Sequence, residues 1–283
     1  MKDPGEIPGK PAGSVVLPAS NEAALIGPCL RAVRASRFDH PVQIVVVANG
    51  CHDDTAARAR AEAPGFAARG WDLQVIERAQ GGKPGALTAG DAAARAGIRI
   101  YLDADVIISA ELIAQLHGAL DGPGARYASG RVVITGKGAV SRAYARFWAG
   151  VPFMRQGVPG CGVFAVNAEG RARWADWPAI ISDDTFARLG FAPSERVLVP
   201  APYDWPIATG WRNLVRVRRR QDAGVAEIAR VYPDLLRNED KPGFPTADKL
   251  RLALRDPAGF AIYAVVALAV RLRPASKNWS RGR

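Results

Sequence analysis

Short apolar runs alternate with alanine-rich stretches of helical spacing through the first third of the chain. Residues 14–18, Ser-Val-Val-Leu-Pro, form a short apolar run closed by proline, which predicts a buried strand. From Asn21 to Ala35 the apolar positions Ala24, Leu25, Cys29, Leu30 and Val33 recur at the spacing of one helix face. Residues 43–48, Gln-Ile-Val-Val-Val-Ala, are nearly continuous in apolar side chains, the signature of a strand covered on both faces of a parallel sheet. Asp53 or Asp54 is placed to cap a following helix that runs to about Ala63. Residues 73–76 predict a third strand, 85–96 a helix and 98–102 a fourth strand. This alternation predicts an α/β fold: a doubly wound, mostly parallel sheet with helices on both faces. In such sheets ligands bind beyond the carboxyl ends of the strands.

The second half is more mixed. Helices are expected over 111–120, from Asp183 to Leu189, over 222–231 and within 246–272, with strands at 131–135 and 163–166. Residues 1–12 are polar and proline-bearing and read as a flexible tail. They contain no apolar core of the kind a signal peptide needs.

Polar chemistry gathers where the predicted strands end. The fourth strand runs into Asp103-Ala104-Asp105 before the chain turns apolar again. Two neighbouring carboxylates at the end of a buried strand are costly unless something positive meets them, and a hard divalent cation with oxygen ligands would do so. The alternative is a polar strand exit with one aspartate capping a helix. The first strand is followed by Pro18-Ala19-Ser20-Asn21-Glu22, and the second by Asn49-Gly50-Cys51-His52-Asp53-Asp54-Thr55. The third is followed by Gln80-Gly81-Gly82-Lys83-Pro84-Gly85, where backbone N–H groups and an ammonium could receive phosphate. Each loop alone is also explained by ordinary turns and caps, but four in succession suit a nucleotide diphosphate and its metal. Neither a Walker A spacing nor a G-x-G-x-x-G after the first strand is present.

In this order the motifs Pro18-x-x-Asn21-Glu22, Asn49-Gly50-x-x-Asp53-x-Thr55, Gly82-Lys83-x-x-Ala86-Leu87 and Asp103-Ala104-Asp105 resemble family 2 of the nucleotide-sugar glycosyltransferases, which has the GT-A fold. The resemblance covers roughly residues 13–220. It implies a nucleotide-binding half at 13–108, an acceptor half at 109–220 and a basic, helical C-terminal segment at 221–283. Pro18, Ala19, Asn21, Glu22, Asn49, Asp53, Lys83, Asp103 and Ala104 would then surround a nucleoside-diphosphate sugar, and Asp105 with Asp103 would hold Mn2+ or Mg2+. The family's second acidic motif matches Asp183-Asp184, with Asp184 as catalytic base and Asp183 as its support. Gly160-Cys161-Gly162 resembles the acceptor-side glycine segment. Trp174 and Trp177 would either stack on a sugar or pack in the core.

Two departures bear on specificity. Ala48 and Asn49 stand where the family usually carries two acids, and Arg218-Arg219-Arg220-Gln221 occupies the region of a Q-x-x-R-W signature that is absent here. That signature belongs mainly to processive synthases, so its absence implies transfer of a single sugar. The expectation is a metal-dependent inverting transferase acting on a saccharide or lipid-linked acceptor hydroxyl in polysaccharide or glycolipid assembly. The alternatives are a non-catalytic nucleotide-sugar or polyanion-binding protein and a sugar-nucleotide pyrophosphorylase. The latter would need a glycine-rich first loop that this chain lacks.

Charge and composition sharpen the partner. The net charge is +11 with a pI near 10.1, which favours an anionic ligand or surface. The basic residues cluster at Arg212, Arg216 and Arg218–Arg220, and again from Lys249 to Arg283. These runs carry no interleaved aromatic motif, which argues against nucleic acid. Three widely spaced cysteines, Cys29, Cys51 and Cys161, suggest neither a disulfide framework nor a zinc site and fit a reducing, cytoplasmic setting. Residues 258–270 are an unbroken apolar run flanked by basic residues. At about 13 residues the run is short of the roughly 20 needed to span a bilayer. It reads either as a helix at an anionic membrane surface, making the enzyme peripheral to the inner face, or as a packed terminal helix.

Overall fold

The computed structural model describes residues 10–272. Most of the expected tail, and the basic residues Arg273, Lys277, Arg281 and Arg283, therefore lie outside the described residues. The first half contains β1 (Gly13–Ala19), α1 (Ile26–Arg34), β2 (Val42–Asn49), α2 (Thr55–Ala61), α3 (Ala63–Ala67), β3 (Asp72–Arg78), α4 (Lys83–Ala93), β4 (Ile98–Leu102) and β5 (Ile107–Ile108). The second contains α5 (Leu112–Leu120), β6 (Tyr127–Thr135), α6 (Gly138–Ala149), α7 (Pro152–Gln156), β7 (Val163–Val166), α8 (Ala168–Arg171), α9 (Asp183–Leu189) and β8 (Arg196–Pro206). It closes with α10 (Trp211–Val231), α11 (Thr246–Arg255) and α12 (Pro257–Arg271).

Among the described residues eight strands form one mostly parallel sheet in the order β3-β2-β1-β4-β7-β6-β8-β5. The β3-β2-β1-β4 half is parallel throughout, as the alternation predicts. β7 runs antiparallel to β4 and β6, so the acceptor half is mixed. Side chains alternate faces along each strand. Val15 and Leu17 of β1 and Ile44 and Val46 of β2 pack with Ile26, Leu30 and Val33 of α1. Val16 of β1 packs with Leu87 of α4, and Val45 and Val47 of β2 with Ala86. Both faces are thus covered, which is why these strands are continuously apolar. The chain winds outward from β1 through β2 to β3 and then returns to β4 on the other side of β1. That reversal opens a crevice at the carboxyl ends of β1 and β4.

Several boundaries differ from the sequence pattern. The first helix starts at Ile26 rather than Asn21, because Asn21 takes a left-handed φ of 50° and the Glu22 carbonyl closes a turn with the N–H groups of Leu25 and Ile26. α4 begins at Lys83, with Pro84 in its first turn, where a missing N–H costs nothing. α10 begins eleven residues before the expected helix and absorbs the arginine run, because Leu214 and Val215 bury the same helix that Gly224 and Ile228 bury further on. The boundary expected at residue 220 falls inside this helix. The region 246–272 breaks into two helices at Asp256-Pro257, where the Asp256 carboxylate caps α12 by accepting from Gly259 N at 2.9 Å. Among the described residues no helix is long and apolar enough to cross a membrane.

Candidate active site

The crevice is built from three polypeptide ends. Where β4 stops, Asp103 N donates to Gly162 O at 2.8 Å, and Asp103 O accepts from Val106 N at 3.1 Å. These bonds fix the Asp103-Ala104-Asp105 turn against the Gly160–Gly162 loop. Gly160 and Gly162 have φ of 67° and 76°, so the loop takes a left-handed course open to glycine. A Cβ on Gly160 would also collide with the Tyr127 hydroxyl. The third end is the first turn of α9, which carries Asp183 and Asp184 at the favourable, positive end of the helix.

Lys83 ties these ends together. Its Nζ lies 2.8 Å from Asp103 Oδ1 and 3.0 Å from Asp183 Oδ2. Burial would lower the ammonium's pKa, but the charges of Asp103 and Asp183 outweigh it and hold Lys83 well above its usual value. The Asp183 carboxylate is buried and is raised by that burial against the pull of Lys83. Burial and the neighbouring Asp183 push Asp184 up from 3.8 to about 6. Its Oδ1 accepts from Thr185 N at 2.7 Å. One pocket is lined by Pro18, Lys83, Tyr101, Asp103, Gly160, Gly162, Asp183 and Asp184, with Leu87 and Phe164 beneath. A partly exposed cation and a carboxylate with raised proton affinity therefore share a site with the strand-end aspartate.

Other candidates serve the walls of the crevice. Asn49 is buried; its Nδ2 donates to Ala19 O at 2.9 Å and its Oδ1 accepts from Gly82 N at 3.0 Å, which pins the glycine loop to the end of β1. Asn21 Oδ1 accepts from His52 N at 2.6 Å, Glu22 N donates to Thr55 Oγ1 at 2.7 Å, and Asp53 Oδ2 accepts from Ala23 N at 3.1 Å. These side chains lace the first two loops together. Ala104 is buried, and Asp105 is half-buried beside that pocket rather than among the residues that line it. Cys161 is held as the neutral thiol, raised by burial and by Asp184. Trp177 is 5% exposed, donates from Nε1 to Asp91 Oδ2 at 2.7 Å and packs edge-on to Tyr101. Trp174 packs on Trp177 with ring centroids 5.1 Å apart. Trp177 is therefore packed in the aromatic cluster, with Trp174 half-buried against it, and neither lines the pocket. Tyr101 and Phe164 line the pocket without any signal in the sequence, since as aromatic positions of buried strands they read as core, whereas Leu87 belongs to the Gly82-Lys83-x-x-Ala86-Leu87 motif.

Residues 14–172 match the model of glycosyl transferase family 2. Among solved structures the chain is similar to the mannosyltransferase PcManGT from Pyrobaculum calidifontis, solved with GDP-Man and Mn2+. The identity is 20% over 94% of this chain and 77% of that one, with a TM-score of 0.58. It is similar to residues 1–349 of S. aureus TarS in complex with UDP, at 12% identity over 86% of this chain and 70% of that one, TM-score 0.53. It also resembles glucosyl-3-phosphoglycerate synthase from Mycobacterium tuberculosis in complex with UDP, at 24% identity over 80% of this chain and 86% of that one, TM-score 0.51. No curated protein matches the chain by sequence. The sheet is that of the GT-A fold, and the family match spans more than half the chain, from β1 through the strand-end aspartates to α8. The chain belongs to glycosyl transferase family 2 and is a glycosyltransferase.

Proposed function

We propose that this enzyme transfers a single sugar from a nucleoside-diphosphate sugar to an acceptor hydroxyl with inversion, and that Asp184 is its general base. The observation that supports the proposal is the Lys83 bridge, which joins Asp103 to Asp183 in one pocket that Asp184 also lines. In this reading the nucleotide lies over the ends of β1 and β2, and the diphosphate lies toward Lys83 and Asp103. The acceptor enters past Gly160-Cys161-Gly162. Asp184 takes the hydroxyl proton as the acceptor oxygen attacks the anomeric carbon, and the bond from that carbon to the diphosphate oxygen breaks. One displacement inverts the anomeric configuration. Asp183, clamped by Lys83, orients the first turn of α9 that carries Asp184.

The donor set at the turn suits a hard divalent cation. Among the described residues no group of three or more His, Cys, Asp or Glu could enclose a metal alone. Two carboxylates two residues apart are what Mg2+ or Mn2+ takes when substrate phosphates complete its shell. Asp105, with Asp103, would hold it, and the ion would supply neutralisation of the charge on the leaving diphosphate. Within the same proposal the acceptor is a saccharide or lipid-linked hydroxyl, and the enzyme works at an anionic membrane surface with no nucleic-acid partner.

The test is a panel of UDP-, GDP- and other nucleoside-diphosphate sugars scored for diphosphate release. Each donor is run with EDTA and then with Mn2+ or Mg2+ restored. Release from at least one donor that is lost with EDTA and recovered with metal is expected. Metal-independent release would overturn the metal assignment, and no release from any donor with any acceptor would overturn the proposal.

A further inference from the structure

Past α10 the chain leaves apolar surface that none of the described residues covers. The inner side of α12 is satisfied: Val266 is buried against Tyr144, Leu214 and Val215, and Tyr263 stacks on Tyr144 with ring centroids 5.3 Å apart. Its outer side should be polar if water were its only neighbour. Instead, no charged residue occurs between Asp256 and Arg271. Val265 is 50% exposed, Leu268 56% and Leu272 73%, at spacings that place them along one outward stripe. α11 buries none of its residues and presents Leu250 and Leu254 one turn apart.

The charge around this surface is biased the same way. Residues 246–272 hold four basic residues, Lys249, Arg251, Arg255 and Arg271, and two acidic ones. Both acids are already engaged. Asp248 pairs with Arg251 at 2.7 Å, and Asp256 pairs with Arg146 of α6 at 3.3 Å. Exposed Arg255 and Arg271 stand at the two ends of α12. An apolar stripe bounded by arginines fits a bilayer interface with anionic headgroups, where the stripe enters the acyl boundary and the arginines meet phosphate. Fifteen residues give a helix of about 22 Å, shorter than the roughly 30 Å hydrocarbon core, so the helix lies in the surface rather than crossing it.

We infer that the outward face of α12, with Leu250 and Leu254 of α11, is a docking surface for an anionic lipid bilayer. The inference rests on the membrane-surface part of the proposed function and names the face responsible. It also links that face to the active site. α12 packs on α10, whose Glu227 accepts from Ile181 N at 2.9 Å and whose Gly224 lies directly against Ser182, the residue before Asp183. A bilayer seated on α12 would therefore stand two packing layers from the catalytic pair, which suits an acceptor whose hydroxyl is carried by a membrane lipid.

Vesicle co-sedimentation of the full chain tests this. Phosphatidylglycerol–phosphatidylcholine vesicles are compared with pure phosphatidylcholine, with V265D/L268D and R255E/R271E as variants. Thermal melting and diphosphate release from a soluble donor serve as controls for folding. The wild type is expected to bind anionic vesicles at least tenfold more tightly than neutral ones. Each variant should lose at least tenfold while melting and soluble turnover stay unchanged. Variants that bind as the wild type does would overturn this face but leave a membrane enzyme. A wild type that ignores anionic vesicles would overturn the membrane reading itself. A dimer dissociated by V265D/L268D, with no vesicle binding, would assign the face to a second copy of the chain and overturn the inference. None of these outcomes touches the glycosyltransferase assignment, which the diphosphate release reads separately.

Discussion

Replacing Asp184 by Asn should make the protein more stable and nearly inactive. Burial and Asp183 raise the Asp184 carboxyl from 3.8 to about 6. Holding the carboxylate ionised at pH 8 therefore costs the folded state about 3 kcal/mol, at 1.36 kcal/mol for each tenfold in proton affinity. Asparagine removes the charge and keeps an oxygen to accept from Thr185 N. The sign follows from proton binding. The folded protein binds the Asp184 proton more tightly than the unfolded chain does, so wild-type stability falls as pH rises from about 4 to 6 and stays low above that. The variant escapes that fall. In urea denaturation without metal, D184N should match the wild type near pH 4 and exceed it by about 2–3 kcal/mol at pH 8. Turnover should fall by about 10²–10⁴, the usual contribution of a positioned base. Wild-type kcat/KM should drop tenfold per pH unit on the acid side and be flat above, with the break at or below about 6 because the divalent cation favours the carboxylate. Equal stability of D184N and wild type at pH 8 would refute the electrostatics, and turnover within tenfold of wild type would refute the role.

Lys83→Met leaves the buried Asp183 carboxylate without its cation. With Lys83 itself partly exposed, the loss at pH 8 should be about 2 kcal/mol rather than the full cost of breaking a buried pair. It should shrink at pH 5 as the aspartates take up protons, which urea denaturation at the two pH values checks. Gly160→Ala combines a left-handed φ with a clash against the Tyr127 hydroxyl. It should cost about 2–4 kcal/mol of stability and lower turnover, read by thermal melting alongside diphosphate release.

What was legible in the sequence follows from where the information is local. Val45, Val46 and Val47 announce a two-sided strand because parallel strands carry their pattern in consecutive residues. Asp103, Asp105 and the Asp183-Asp184 pair stand out because carboxylates interrupt apolar runs. Hidden features depend on distant partners. Nothing local says that Lys83 will reach both Asp103 and Asp183, or that Asn49 will spend its side chain on Ala19 and Gly82 rather than on a ligand. β8 was obscured by Pro200 and Pro202, which suit neither a ladder nor a strand centre. It forms beside β6 because the register slips between Ser129 and Arg131 and because only two residues of β5 pair on its other edge. α10 was obscured by its arginines, which disguise a helix whose buried side is thin.

The central claim is that the strand-end aspartates hold the donor while Asp184 makes the bond. Donor affinity and turnover measured together on Asp105→Ala and Asp184→Asn, by calorimetry with Mn2+ and by diphosphate release with acceptor present, separate the two roles. The account predicts that Asp105→Ala loses metal-dependent donor binding and turnover together, while Asp184→Asn binds donor within about twofold of wild type and loses turnover by about 10² or more. Turnover that survives Asp184→Asn, or donor binding that survives Asp105→Ala unchanged, would contradict it.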